Sequence, residues 1–269
     1  FPALDLNHIS VRNDDGVAYL EAMSPVDCIF LDPARRNEHG GKTVAISDCE
    51  PNVAKLEGLL LSKANRIMIK LSPMLDLSQA LKELPHTQEV HIISVNNECK
   101  ELLLLLGQTA PEEIPVHCVN LSTKGEQEKQ LFVFTREQEQ HSECSYTDTL
   151  GNYLYEPNAS LLKAGAFRSI AAAYSVKKLH PNSHLYTSET QIEGFPGRTF
   201  RIINRCSLNK KEIKENLSDL KKANITVRNF PATVAELRKR IKLAEGGDTY
   251  LFASTLNDGQ KILIRCGKV

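Results

Sequence analysis

The chain has 269 residues, 41% of them apolar, with 33 basic and 33 acidic side chains. That length supports one large domain or two modest ones, each with its own core. No segment approaches the roughly 18 apolar residues of a membrane-spanning helix, and the first thirteen residues lack the basic and apolar regions of a secretory signal.

The seven cysteines are odd in number and form no Cys-x-x-Cys pair. They read as buried, reduced thiols of a cytoplasmic protein, with no zinc cluster. The eight histidines show no metal-ligand spacing, so no metal is expected. Charge is uneven along the chain. Arg201 to Lys242 holds twelve Lys or Arg against four Asp or Glu, a local net of +8, which leaves −8 on the remainder. A polyanionic partner for that stretch is one reading. An ordinary solvated helix face is the other.

In chain order, Ile9 to Val11 reads as a short strand ending in the turn Asn13-Asp14-Asp15-Gly16, and Val17 to Met23 as a helix. Cys28 to Leu31 is a continuous apolar run, as expected of a parallel strand buried on both faces. Asp32-Pro33 ends it, and His39 to Lys42 reads as a polar loop. Asp48, Glu50 and Pro51 mark the start of a helix whose apolar stripe is Val53, Leu56, Leu60 and Leu61. Arg66 to Leu71 is the next strand, Leu77 to Leu84 a short helix and Val90 to Val95 a strand. A helix is expected over Glu98 to Leu106. Val116 to Leu121 and Leu131 to Thr135 should pair antiparallel around a polar turn, Thr123 to Glu128. The repeated β-α-β order predicts an open, mostly parallel α/β sheet.

Glu137 to Glu143 is polar and aperiodic and reads as a linker, which divides the chain into residues 1–143 and 144–269. Ala159 to Tyr174 reads as one Ala-rich helix. His184 to Thr187 and Phe200 to Asn204 are short strands. Lys210 to Ala223 and Thr233 to Leu243 are basic helices flanking a strand, Ile225 to Arg228. Thr249 to Thr255 and Lys261 to Cys266 close as a hairpin around Asn257-Asp258-Gly259. This rhythm predicts a small α+β, ferredoxin-like module.

The segment that best carries chemistry is Ile29-Phe30-Leu31-Asp32-Pro33-Ala34-Arg35-Arg36. A strand delivers a carboxylate and a stiff proline to its carboxyl end, where open α/β sheets bind ligands. Asp32 can accept a hydrogen bond or a proton from a target amine. Arg35 and Arg36 offer positive charge to a phosphate or carboxylate. A strand-ending turn with exposed arginines fits the same residues. Asp14 or Asp15 could accept from the exocyclic amine of an adenine, or serve as turn chemistry alone. Lys70, at its strand end, either orients substrate at the same sheet edge or is simply solvated. Arg228-Asn229-Phe230-Pro231 pairs an arginine with an aromatic, as RNA-binding surfaces do. Arg238, Lys239 and Arg240 extend that basic surface. No Gly-x-Ser-x-Gly elbow and no Walker-type phosphate loop occurs.

Strand–Asn13-Asp14-Asp15–helix followed by strand–Asp32-Pro33-Ala34-Arg35 resembles the third to fifth strands of a class I S-adenosylmethionine-dependent methyltransferase. Further segments extend the likeness: Ser47-Asp48-Cys49-Glu50-Pro51-Asn52, Tyr155-Glu156-Pro157-Asn158-Ala159, Pro181-Asn182-Ser183-His184-Leu185-Tyr186, Phe195-Pro196-Gly197-Arg198 and Arg228-Asn229-Phe230-Pro231. Together they resemble bacterial class I methyltransferase-like proteins with a THUMP-like C-terminal domain. The resemblance implies a partial Rossmann-like sheet followed by an α+β, ferredoxin-like and THUMP-like domain. It implies Asp14 or Asp15 on the adenine of S-adenosylmethionine. It places Asp32, Pro33 and Ala34 at the methyl-transfer site, with Asp32 also near the cofactor.

The implied substrate is RNA, met by Arg35, Arg36, Lys70, Arg228, Arg238, Lys239 and Arg240. Ala34 and Arg35 depart from the family's second proline and aromatic. A glycine-rich cofactor loop and the ribose-binding acid are absent, so the chain is expected to start inside the fold and to bind the cofactor poorly alone. Two other functions remain open. One is a catalytically idle nucleic-acid-binding protein, the other a small-molecule methyltransferase.

Overall fold

The computed structural model describes Leu6 and residues 8–35, 45–123 and 129–269. Two compact units emerge, Phe1–Val90 with Glu101–Ile114, and His91–Lys100 with Pro115–Val269. The expected loop at 39–42 and most of the turn at 123–128 lie outside the described residues.

In the first unit, helix α1 (Gly16–Ala22) is followed by strand β1 (Val26–Leu31). Two-residue strands β2 (Ala34–Arg35) and β3 (Cys49–Glu50) pair antiparallel. Helix α2 (Val53–Lys63) starts at Asn52, whose side chain accepts from the Lys55 amide, and it buries Val53 and Leu60 of the expected stripe. The Lys63 ammonium donates to the carbonyls of Glu21 at 3.0 Å and Met23 at 2.7 Å, tying the end of α2 to that of α1. Strand β4 (Ala64–Leu71) runs parallel to β1, with Leu31 opposite Ile69. Helix α3 (Leu77–Glu83) follows, capped by Asp76.

Three expectations change here. Residues 9–11 form no strand, and Ile9 and Val11 are 42% and 72% exposed. Strand β1 is not buried on both faces: Val26, Cys28 and Phe30 are exposed. Among the described residues it is an edge strand, flanked by β4 alone in a sheet ordered β1-β4-β6-β5-β7-β8. Glu98 to Leu106 is not a helix but strand β6, which turns back from β5 (Thr87–Val95). The cause lies in Asn96 and Asn97, both in the left-handed region at φ 51° and 65°. Two such residues make the tight turn that matches strand twist, and asparagine tolerates that conformation. The run Leu102 to Leu106 alternates buried and half-buried positions, as a strand covered on both faces does.

Strands β7 (Pro115–Leu121) and β8 (Lys129–Thr135) pair antiparallel as expected, with Cys118 opposite Phe132. The supposed linker contains helix α4 (Arg136–His141), started by a reciprocal cap between Thr135 and Gln138. Helix α5 (Ala159–Ala164) and helix α6 (Phe167–Ala173) replace one long helix, since Gly165 turns left-handed at φ 77°. Glu139 of α4 caps α6. Its carboxylate accepts from the Phe167, Arg168 and Ser169 amides at 2.8–3.0 Å. A charged stretch without apolar periodicity is thus a fixed helix, because its acid satisfies the free amides of its neighbour.

The rest of the second unit is a seven-stranded mixed sheet ordered β10-β11-β9-β12-β15-β14-β13. Its strands are β9 (Tyr153–Pro157), β10 (Lys177–Lys178), β11 (Tyr186–Ser188), β12 (Gly197–Cys206), β13 (Asn224–Arg228), β14 (Thr249–Thr255) and β15 (Lys261–Lys268). Only β13 and β14 run parallel. Helices α7 (Lys210–Leu217) and α8 (Val234–Ile241) are the two basic helices, both shorter than expected. Alternate residues of β14 enter two cores. Phe252 joins Leu154, Phe200 and Ile264, while Leu251 and Ala253 join Leu217, Leu237 and Leu263.

Candidate functional site

Parallel pairing fixes the first constellation. Because Leu31 lies opposite Ile69, the next residues, Asp32 just past β1 and Lys70 next to last in β4, lie at the same sheet end. The Lys70 ammonium sits 2.5 Å from an Asp32 carboxylate oxygen. Side-chain exposures of 54% for Asp32 and 31% for Lys70 leave the pair open to solvent. Hydrogen bonding to Asp32 raises the Lys70 pKa above its ordinary value, against a smaller desolvation effect. The sequence placed both residues at one edge, and the structure joins them. Pro33 is buried, and Ala34 is exposed and pairs with Glu50 in the short β2–β3 ladder. Arg35 pairs with Cys49 through its backbone. The Arg35 side chain and all of Arg36 lie outside the described residues.

A cavity of about 590 Å³ opens beside β1. Asp15, Tyr19, Phe30, Leu31 and Leu56 contribute to its lining. Among the described candidate site residues only Asp15 lines it. One Asp15 carboxylate oxygen accepts from the Val17 and Ala18 amides, both at 2.9 Å, and caps α1. Turn and cap chemistry thus occupies half of that carboxylate. Asp14 is exposed in the preceding bend.

The basic residues of the second unit do not form one patch. Arg228 ends β13, whereas Arg238 donates to the Ala223 carbonyl at 3.4 Å, just before that strand begins. Five extended residues separate the two ends, about 16 Å of strand. Arg240 donates to the Leu208 carbonyl at 2.9 Å. Lys239 is exposed on the last turn of α8. Three cations in that turn also suit the negative end of the helix dipole.

Sequence reasoning missed the most buried charge in this unit. Glu156 on β9 is 1% exposed. One of its oxygens takes the Arg228 guanidinium at 2.8 Å, the other takes Arg198 through Nε at 2.9 Å and through Nη2. A buried carboxylate is tolerable only when paired so completely. Glu156, Arg198 and Arg228 belong to three of the segments that carried the family likeness, up to 72 positions apart in sequence. A lone acid between Tyr155 and Pro157 gives no local hint of two distant arginines.

Nearby, Lys178 is 2% exposed and donates to the Pro181 carbonyl. Burial lowers its pKa to about 8. His184 stacks on Phe167 with ring centroids 3.7 Å apart. Burial, then the charges of Lys178 and Arg228, lower the His184 pKa to about 4.

An α/β unit with a carboxylate at a strand end and a mixed-sheet unit rich in arginine resemble a methyltransferase-like protein with a THUMP-like domain. Residues 153–196 match a ferredoxin-like domain family, and residues 197–268 a THUMP domain-like family. The chain is similar to the crystal structure of a "putative methyltransferase" from Porphyromonas gingivalis W83, at 41% identity and a TM-score of 0.82. That likeness covers 90% of this chain and 60% of the neighbour, so the chain spans 60% of the neighbour's length. Comparison with curated proteins returns no match.

Proposed function

We propose that the protein works in S-adenosylmethionine-dependent methyl transfer to RNA, with its acceptor site at Asp32. The observation that carries this reading is the 2.5 Å Asp32–Lys70 pair at the shared end of two parallel strands. Ligands of open α/β sheets bind at that end. A methyltransferase-like neighbour supports the reaction class, and the THUMP-like segment supports an RNA partner. The function of the whole protein remains part of this proposal. We place the boundary between the methyltransferase-like and RNA-holding parts near residue 143. We place the reaction in the cytoplasm, where the seven free cysteines stay reduced.

The residues present fit the adenine end of the cofactor. Phe30 and Leu31 offer apolar contact, and Asp15 can accept from the exocyclic amine with Oδ2, its other oxygen capping α1. When bound, S-adenosylmethionine supplies the methyl group. Asp32 accepts a hydrogen bond from the target N–H or O–H and takes its proton at a carboxylate oxygen. Lys70 fixes the direction of that carboxylate, so positioning provides most of the acceleration. Pro33 and Ala34 shape the wall beside it. Arg35 and Arg36 meet the phosphate of the target nucleotide. Arg228, Arg238, Lys239 and Arg240 hold RNA electrostatically, which makes binding weaken as salt rises.

The test is transfer of labelled methyl groups to RNA by the full-length protein and by its Asp32→Asn variant. Asparagine keeps the shape and cannot take the proton, so transfer should fall by about a hundredfold or more. Undiminished transfer would remove Asp32 from the mechanism. A second reading, an idle RNA-binding protein, draws on the same ion pair, because Lys70 already neutralises the carboxylate. It predicts native-like RNA binding with no transfer before or after the substitution.

A further inference from the structure

We infer that the second unit holds a phosphate-group site formed by Arg228, His184 and Lys178, with Arg198 and Glu156 fixing the arginine in place. Three observations meet there. The Arg228 Nε and the His184 Nδ1 are both buried atoms without a hydrogen-bond partner. Both belong to one electrostatic neighbourhood, since Arg228 and Lys178 act directly on His184. His184 and Lys178 also flank one ring: His184 stacks on Phe167 at 3.7 Å and the Lys178 ammonium lies 5.2 Å from the same centroid.

Local charge is unbalanced. Lys178, Arg198 and Arg228 bring three positive charges, while Glu156 brings one negative charge that both arginines already share. Cys144 and Glu139 act on Lys178, and the Glu139 oxygens already cap helix α6. Buried donors left without acceptors cost free energy, and an electropositive site recovers that cost when an anion arrives. A tetrahedral phosphate suits it best. The Arg228 fork presents Nε beside a guanidinium already oriented by Glu156, and Arg is the side chain matched to phosphate geometry.

His184 adds a switchable donor. Its backbone sits left-handed at φ 52°, which a non-glycine residue adopts at a cost and which fixes where its ring points. Beside a bound anion its imidazole should take up a proton and donate through Nδ1, opposing the fields of Lys178 and Arg228. His180 is not part of the site. Its Nδ1 accepts from the Asn182 amide at 3.0 Å and faces the Asn229 amide at 3.0 Å.

A phosphate could arrive free, as a terminal monoester, or within an RNA backbone. Only that last step rests on the RNA reading above, and inorganic phosphate tests the site without it. The experiment follows the His184 ring resonances in the whole chain by NMR as inorganic phosphate is added at constant ionic strength, with chloride as control. The expected result is a saturable shift, with the His184 pKa rising from about 4. Arg228→Lys keeps the charge but removes Nε, and should weaken binding about tenfold, one charge-assisted hydrogen bond. His184→Gln, followed through the Arg228 Nε–H resonance instead, should weaken it without disturbing the Glu156 pair.

Two tetraribonucleotides, with and without a 5′-phosphate, then identify the carrier. Binding of both supports a backbone phosphate, and binding of the phosphorylated one alone supports a terminal phosphate. A His184 resonance indifferent to phosphate, or one that moves equally with chloride, overturns the site. Phosphate binding with neither oligonucleotide bound leaves the site standing and counts against RNA as its source.

Discussion

Replacing Glu156 with glutamine removes the charge that holds two arginines and leaves the side-chain volume in place. Breaking a buried pair by removing one partner costs about 3–5 kcal/mol, because the remaining charge is stranded. Here the stranded guanidiniums, Arg198 and Arg228, keep 38% and 35% of their side-chain surface in solvent. Water screens them in part, so the expected loss is about 2–3 kcal/mol. For a unit of this size that lowers Tm by about 5–10 °C. The chain has no tryptophan, so unfolding in urea is best followed by far-ultraviolet circular dichroism. The midpoint should fall with the slope unchanged. A second variant, Arg198→Met, should cost less in the Glu156→Gln background than in the native one, because the two residues are coupled. A Glu156→Gln loss below about 0.5 kcal/mol, the range of an ordinary surface substitution, would refute the idea that this carboxylate organises the unit.

Lys70→Met should leave the thermal melt close to native, since the Asp32 pair is exposed, yet reduce methyl transfer by the full-length protein severely; paired thermal melts and transfer assays separate the two effects. Gly197→Ala should destabilise the second unit by about 1–3 kcal/mol, since overpacking displaces neighbours. Its new Cβ would meet the Glu156 carbonyl oxygen and lie 2.9 Å from Pro157 Cα in the β9–β12 pair, and a midpoint equal to the native one contradicts that close approach. Burial pushes the Cys206 and Cys266 thiols up to about 11 and about 12. A thiol reagent at pH 8 should therefore modify exposed Cys28 at once and those two only on unfolding, as mass spectrometry would report. His184, lowered to about 4 from 6.5, binds a proton more readily in the unfolded chain. Its contribution makes stability rise with pH between about 4 and 6.5, and His184→Gln should flatten that slope in pH-dependent urea melts.

Much of the fold is legible in particular residues. Asp32-Pro33 ends a strand because proline cannot continue the ladder, and Asp76 and Thr233 cap helices at their expected starts, whereas α2 is capped by Asn52, beyond the Asp48, Glu50 and Pro51 read as its first turn. Where reading failed, a longer-range cause prevailed. Five consecutive leucines suit a helix and a doubly covered strand equally, and only the left-handed Asn96-Asn97 turn decides for the strand. Residues 136–141 look like a linker because a helix with no buried residue has no apolar stripe to read. It persists because Glu139 finds the open amides of α6.

Local chemistry alone therefore determined the alternation of strands and helices, most of the caps, and the arrival of Asp32 and Lys70 at the same kind of strand end. Tertiary structure decided which groups meet. It set the parallel register that joins Asp32 to Lys70, left β1 at an edge with its apolar side chains exposed, and gathered Glu156, Arg198 and Arg228 from distant segments. The physical reason is that capping and turn preferences act within a few residues, whereas a buried charge is stabilised by whatever the folded chain brings to within hydrogen-bonding distance.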